Sequence, residues 1–558
     1  MTESANEVAE KTWAKSAARI GWAILIVATL YVCYFSHLGA IGFVGPDEPR
    51  YAWVARDMAE TGDWVTPRLY GKPWFEKPPL FYWGAALCFK LFGVSEAAAR
   101  LPSAISALLA TLAMAWLALR LYGAETARWL LLLLPTTVGM IGFSHAAATD
   151  MPFSGMLTIA MVAAAVVLGL TRNENTPILP GTPWLALVLL GFFLGLAVLA
   201  KGPAAVILCG GAVFFWALFT KRWRDAFRLL HPVAIATFCL TALPWYILCA
   251  RRNPDFFRVF IIEHNFKRYL TPEFQHIQPF WFYILIILLA LLPWTVLLLA
   301  LLNDAWHLWK ANDWRNSPGL YFACWAAFTI AFFSASNSKL PGYVLPSVPA
   351  SGLILASSTI KRLGAARVSI SWIGIGVGLS LAVLGIVVEA LHNRIPLATD
   401  ISPAPALAEL AVVAILGGAI ATFLGTVGKA RWALLSAMAT VLLLLSVGTN
   451  DLWQLDAGVS SRAAIETANH KWTDIPSREI RTYRLPRGFQ FGLNFYLHRE
   501  LEEWKGPSSQ GAIIFTAPKQ VDDLQLMGIQ CLPYLVSPAV VLCEDPGIPK
   551  YRVEQSKP

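Results

Sequence analysis

The chain has 558 residues, 56% hydrophobic and only 14% charged, with 23 Trp, 31 Phe and a formal charge of +9. A typical globular chain carries roughly 25% charged residues, so this composition excludes a soluble enzyme, a disordered scaffold and a disulfide-stapled secreted domain. No basic block stands outside the apolar segments, so the positive charge points to anionic lipid as partner and not to nucleic acid. The chain reads as a polytopic membrane protein.

Taken in order, the start Met1-Thr2-Glu3-Ser4 lacks the charged region of a cleavable signal peptide. The first apolar stretch, about 20–40, is therefore expected to be a retained anchor. Stretches able to cross a hydrocarbon core roughly 30 Å thick follow at 101–119, 127–144, 152–170, 184–200, 203–220, 230–250, 280–302, 318–335, 344–360, 370–390, 405–425 and 432–450. This predicts an all-α bundle of about thirteen membrane helices over 1–450. The run from Pro79 to Val94 is short, contains Lys90 and follows a doubled proline, features of an interfacial segment. Leaving it out puts the N-terminus and the loops 120–128, 171–183, 221–228, 303–316, 361–367 and 427–431 on one side, and these hold most of the short-loop Lys and Arg. That side is cytoplasmic by the positive-inside rule.

From Asp451 the hydropathy drops. The tail 451–558 is expected outside, as a small α/β domain with strands at Gly511–Phe515 and Pro538–Leu542. Cys531 and Cys543 lie in it, and an oxidising compartment permits them to pair, while the other six cysteines sit in or beside apolar helices. Gly374 to Gly378 alternates glycines inside a span and reads as helix packing. Trp453 to Asp456 reads as an aromatic belt anchor. His498, Glu500, Glu502 and Glu503 read as an exposed charged helix before a second ligand site.

The outer loops carry the chemistry. The first, 41–100, holds Asp47, Glu48 and Arg50 beside a spanning helix, then Glu76-Lys77-Pro78-Pro79. Others hold Asp150, Lys201, the pair His264 and Arg268, Lys339 and Tyr343. Ionisable groups at membrane depth default to function. Plainer readings stand beside this one: Asp47 and Glu48 as helix-capping acids neutralised by Arg50, Asp150 as an N-cap, and Lys201 and Lys339 snorkelling to headgroups. Clustered cations bind phosphates, and there is no Walker loop or dinucleotide fingerprint, so a lipid-phosphate donor fits better than a soluble nucleotide. Carboxylate plus imidazole at Glu76 and His264 suits zinc, against a surface histidine that is merely hydrogen-bonded.

Gly45 to Ala52, Gly62-Asp63-Trp64, Phe75 to Pro79, Thr149 to Pro152 and Lys201-Gly202-Pro203 resemble the lipid-carrier-dependent glycosyltransferases of the type C fold. Length and architecture resemble the 4-amino-4-deoxy-L-arabinose transferases that modify lipid A. The resemblance implies transfer of the amino sugar from undecaprenyl phosphate to a lipid A phosphate, on the periplasmic side of the bacterial inner membrane. It implies Lys77 and Arg268 on the departing phosphate, with Lys201, Lys339 and Tyr343 in support and Arg50, Tyr51 and Tyr82 lining the same site. Asp47 would be the base in a mannosyltransferase; in an aminoarabinose transferase it would orient the acceptor or help hold a metal. Asp150 would pair with the sugar's ammonium, and Glu48 stands with the catalytic acids. The alternatives are another carrier-dependent glycosyltransferase acting on protein, and a transporter of the polyprenyl-linked intermediate.

Overall fold

The computed structural model describes residues 5–171, 182–267, 277–365, 371–391, 404–471, 479–506, 511–531 and 539–545. Among these, nine helices are long and apolar enough to cross a membrane: Ser16–Tyr34, Glu96–Tyr122, Asp150–Val167, Trp184–Lys201, Pro232–Arg252, Pro341–Leu363, Trp372–Ala390, Leu407–Thr426 and Ala430–Gly448. The expected spans 127–144 and 280–302 are each two helices, Ala124–Leu133 with Val138–Ser144, bent by 60°, and Phe282–Ala290 with Trp294–Lys310, bent by 115°. The expected spans 203–220 and 318–335 are the shorter apolar helices Ala204–Thr220 and Gly319–Ser334. Hydropathy located each segment but not the breaks.

Each break has a proline, Pro135 and Pro293, which removes a helical hydrogen bond. In lipid the freed backbone groups must find partners inside the protein, and here the two breaks supply them to each other. Val138 N–H donates to the Leu292 carbonyl at 3.0 Å, and the Trp294 indole donates to the Thr136 hydroxyl at 3.0 Å. Gly139 permits the approach, because a Cβ there would sit 3.0 Å from the Ala290 methyl. The Gly374–Gly378 stretch is indeed a packing feature: a Cβ on Gly378 would lie 2.6 Å from the Gly418 carbonyl of the neighbouring helix.

The first spanning helix, α1 (Ala5–Tyr34), stops well before Asp47. The segment up to α4 (Glu96–Tyr122) is not a loop but two helices, α2 (Asp47–Thr61) and α3 (Leu80–Phe92), with a two-stranded hairpin of β1 (Arg68–Leu69) and β2 (Lys72–Pro73) between them. The thirteen residues of α3 reach only ~20 Å at 1.5 Å per residue, short of a crossing. It buries Phe81, Tyr82, Ala85, Ala86 and Phe89 in a cluster that also takes in Tyr51, Ala52 and Ala55 of α2.

The last span is apolar as far as Gly448, and its helix runs on past Asp451 to Val459. The tail is a mixed four-stranded sheet in the order β3-β4-β6-β5, from Ile480–Tyr483, Ala512–Thr516, Gln530–Cys531 and Val541–Asp545 in chain order. The expected strand at 511–515 falls on β4. The one at 538–542 lies three residues early for β6, and β3 and β5 are too short and mixed to stand out. Cys531 and Cys543 are disulfide-bonded across the β5–β6 pair. A helix, Arg487–Leu497, crosses between the parallel strands β3 and β4.

Candidate active site

Asp47 and Glu48 open α2, where acids suit the helix dipole, but their side chains part company. Glu48 is buried and closed in by protein. Arg100 of α4 grips both its oxygens, at 3.0 and 2.8 Å, and the backbone N–H groups of Val44 and Ala147 donate to it at 2.7 and 2.6 Å. Arg100 also donates to the carbonyls of Leu38, Ile41 and Gly42, each at 2.8 Å. Glu48, expected among the catalytic acids, thus ties the end of α1, the start of α2 and the turn before Asp150 into one unit. Its oxygens have no approach left for a substrate.

Asp47 is half exposed and pairs with Arg50, one turn along. Arg50 is buried; its Nη1 reaches Glu76 at 3.3 Å, its Nε donates to the Pro46 carbonyl at 2.8 Å, and Lys77 lies 3.7 Å from the other Glu76 oxygen. Burial pulls the Arg50 guanidinium down, but Glu76 and Asp47 outweigh it and hold the charge on. Tyr51 and Tyr82 stack edge-to-face at 5.8 Å beside this group. Burial, with Glu76 and Asp47 adding to it, pushes both phenols well above their usual range, so both keep their protons at neutral pH. The Tyr82 hydroxyl is fully buried with no hydrogen-bond partner among the described residues.

The second group lies at the same end of the bundle. Asp150 begins the helix Asp150–Val167, and Thr149 in front of it makes no side-chain cap. Asp150 instead accepts from Lys201 at 2.5 Å, and the Lys201 ammonium stands 4.5 Å from the Tyr343 ring centroid and 5.5 Å from that of Phe153. A Cβ on Gly342 would strike the Asp150 carboxylate, so that glycine lets the 336–343 segment close over it. Lys339 is buried and donates to the Ser336 carbonyl at 2.5 Å. Neither lysine snorkels, and Asp150 is no N-cap. Since Glu48 accepts from Ala147, the two groups are joined through the turn 145–149.

Arg268 lies outside the described residues, and so does the side chain of His264, in the π-helical run Arg258–Lys267. Glu76 is engaged by two cations, Arg50 and Lys77. Among the described residues no three His, Cys, Asp or Glu side chains converge to hold a metal.

Three participants were not legible in the sequence. Arg100 looks like the end of an apolar helix, yet it holds Glu48. Trp74 lies 5.6 Å from the Arg50 guanidinium, and Phe491 of the tail lies 5.2 Å from it. Nothing in a tail 441 positions downstream signals that contact. The tail is fastened beside the site: Asp456, expected in a belt anchor, is buried and accepts from Gly42 N–H at 2.7 Å, Tyr496 donates to Glu96 at 2.8 Å, and Phe43 and Phe495 meet edge-to-face at 4.8 Å. His498 ends its helix in the left-handed region and lies 3.2 Å from Glu60, and Glu502 pairs with Arg481, so 498–503 is not the exposed charged helix expected; Glu500, Glu502 and Glu503 line a cavity together with Arg481.

Residues 19–260 match the family of dolichyl-phosphate-mannose-protein mannosyltransferases. The chain is 33% identical over 320 residues to an undecaprenyl phosphate-α-4-amino-4-deoxy-L-arabinose arabinosyl transferase of Erwinia tasmaniensis, covering 57% of this chain and 56% of that one. It is 31% identical over 343 residues to the protein of the same name in Pseudomonas aeruginosa, covering 61% and 60%. The chain thus aligns with less than two thirds of these relatives' length. Among solved structures, ArnT from Cupriavidus metallidurans bound to undecaprenyl phosphate superposes with a TM-score of 0.75 over 95% of this chain and 99% of that one, at 24% identity. The protein is therefore a multi-pass membrane protein with the fold of that ArnT, and in sequence a relative of the aminoarabinose transferases.

Proposed function

We propose that the protein transfers 4-amino-4-deoxy-L-arabinose from undecaprenyl phosphate to a phosphate of lipid A, at the periplasmic face of the bacterial inner membrane. The observation that carries this reading is the convergence of Asp47, Arg50, Glu76 and Lys77 with Asp150, Lys201 and Tyr343 at one end of the bundle. Glycosyl transfer passes through an oxocarbenium-like state in which negative charge gathers on the departing group. Here that group is a phosphate, which needs cations and hydrogen-bond donors more than a proton. Lys77 and the unpartnered Tyr82 hydroxyl supply both, and Arg268 joins them in this reading. Arg50 stays charged and holds Asp47 and Glu76 in place. The acceptor phosphate is already an anion, so Asp47 orients it instead of deprotonating it. Asp150, carried by Lys201, faces the sugar's ammonium.

The sidedness rests on two supports. The helix Ala204–Thr220 leads from near Lys201 to Lys221, Arg222, Arg224 and Arg228 beyond its other end, which supports placing the basic turn and the acidic site on opposite sides of the membrane. The tail, with its disulfide, shares the site's end, which suits an oxidising compartment. Reporter fusions at 150, 343 and 225 test this: the first two are expected outside and the third inside.

Purified protein given synthetic carrier-linked sugar and lipid A is expected to yield lipid A heavier by one pentosamine. Asp47→Asn and Lys77→Ala are each expected to lose at least about a hundredfold in kcat/KM, the loss typical when a transition-state charge partner is removed. Full activity in either variant refutes its assigned role. The match to the mannosyltransferase family favours a second reading, transfer to a protein hydroxyl with Asp47 as base; a peptide acceptor in the same assay decides between them. The zinc expectation at Glu76 and His264 is tested by metal content, one equivalent lost in His264→Ala supporting it, and no step above runs through a metal.

A further inference from the structure

Among the described residues, the cations around Asp47 are paired with acids or backbone. Arg50 lies between Asp47 and Glu76, Lys77 against Glu76, Lys201 against Asp150, and Lys339 on the Ser336 carbonyl. A phosphate brought to the half-exposed Asp47 carboxylate would face like charge, and its binding calls for a cation of its own. The tail helix Arg487–Leu497 brings one. Arg487, its first residue, is exposed, with no carboxylate partner among the described residues. Its guanidinium lies 5.6 Å from the centroid of the Phe491 ring, and the same ring lies 5.2 Å from the Arg50 guanidinium. The next residue, Gly488, packs on the backbone of Gly45, where a Cβ would come within 3.0 Å of the Gly45 carbonyl carbon. Close packing two residues before Asp47 therefore fixes where Arg487 stands.

We propose that Arg487 binds the phosphate of the incoming acceptor lipid at the mouth of the site, so that the tail domain forms part of the acceptor-binding surface. The Phe491 ring lies beside the guanidinium, whose fork matches a phosphate bidentately. The assignment rests on the reading above, in which the acceptor is a lipid phosphate.

With carrier-linked sugar as donor and lipid A as acceptor, Arg487→Ala is expected to raise the KM for lipid A about tenfold and leave the donor KM unchanged. Arg487→Lys, a point charge without the fork, is expected to raise it less. An unchanged acceptor KM, or an equal rise in both KM values, overturns the assignment. A wild-type protein that modifies no lipid A overturns the proposed function instead. Should Arg487→Ala aggregate on size exclusion, Arg487→Lys, which keeps its stem over Phe491, is judged by the same outcomes.

Discussion

Two neighbouring acids, Asp47 and Glu48, show how far residue type alone can mislead. Both sit in the same motif, yet one reaches the mouth of the site and the other is locked onto Arg100. Removing one partner of a buried pair leaves an uncompensated charge, so Glu48→Ala is expected to cost about 3–5 kcal/mol. That would be read as a large fall in the melting temperature of the detergent-solubilised protein. Asp57, in the second half of α2, behaves differently. Burial raises its carboxyl above the usual 3.8, Glu60 and Asp63 adding to this against Arg68, and its Oδ2 has no hydrogen-bond partner among the described residues. An acid with a raised folded-state pKa destabilises the fold when ionised. The penalty is absent below about pH 3.8, grows as pH rises, and is complete above the folded-state value. Asp57→Asn is therefore expected to melt higher than wild type at neutral pH, the difference closing as pH falls through that window.

At the scale of elements, the two broken spans decide the interior. Each leaves backbone and side-chain polar groups in the bundle core; the threonines bond to nearby carbonyls, while the Val138 N–H and the Trp294 indole find their acceptors across the two breaks. Thr136→Val leaves the Trp294 indole N–H buried without an acceptor, a loss of about 1–3 kcal/mol. The measurement is thermal unfolding, and an unchanged melting temperature would show that another group takes over the hydrogen bond. The short helix α3 is equally decisive. Its proline start and thirteen residues keep it from crossing, and this keeps Glu76 and Lys77 at the same end as Asp150. Hydropathy and the distribution of Lys and Arg made that visible in the sequence. The bends did not show, because apolar content runs straight through them.

At the scale of the whole molecule, the tail is a working part of the site's surroundings and not a pendant domain. It is fastened through Asp456, Arg462 and Tyr496 to the chain just before Asp47 and to Glu96, and Phe491 leans on Arg50. The Cys531–Cys543 bond closes a short loop, with a sequence separation of 12. By the loop-entropy argument its removal is expected to cost the tail about 3 kcal/mol. Hydrogen exchange should register this in β5 and β6, while the membrane bundle exchanges as before. Loss of protection throughout the bundle would mean that tail and bundle unfold together.

The sequence by itself determined the membrane character, the position of almost every apolar helix, and the acids and cations of the outer segments. Those follow from local composition: an apolar run long enough for the bilayer has few alternatives, and charge beside it stands out. Only the tertiary structure decided which of those charges meet. Asp150 finds Lys201 fifty-one positions away, Glu48 finds Arg100 fifty-two positions away, and Arg50 meets a phenylalanine of the tail. The partner of a buried charge is chosen by helix packing across the bundle, and no local pattern records it.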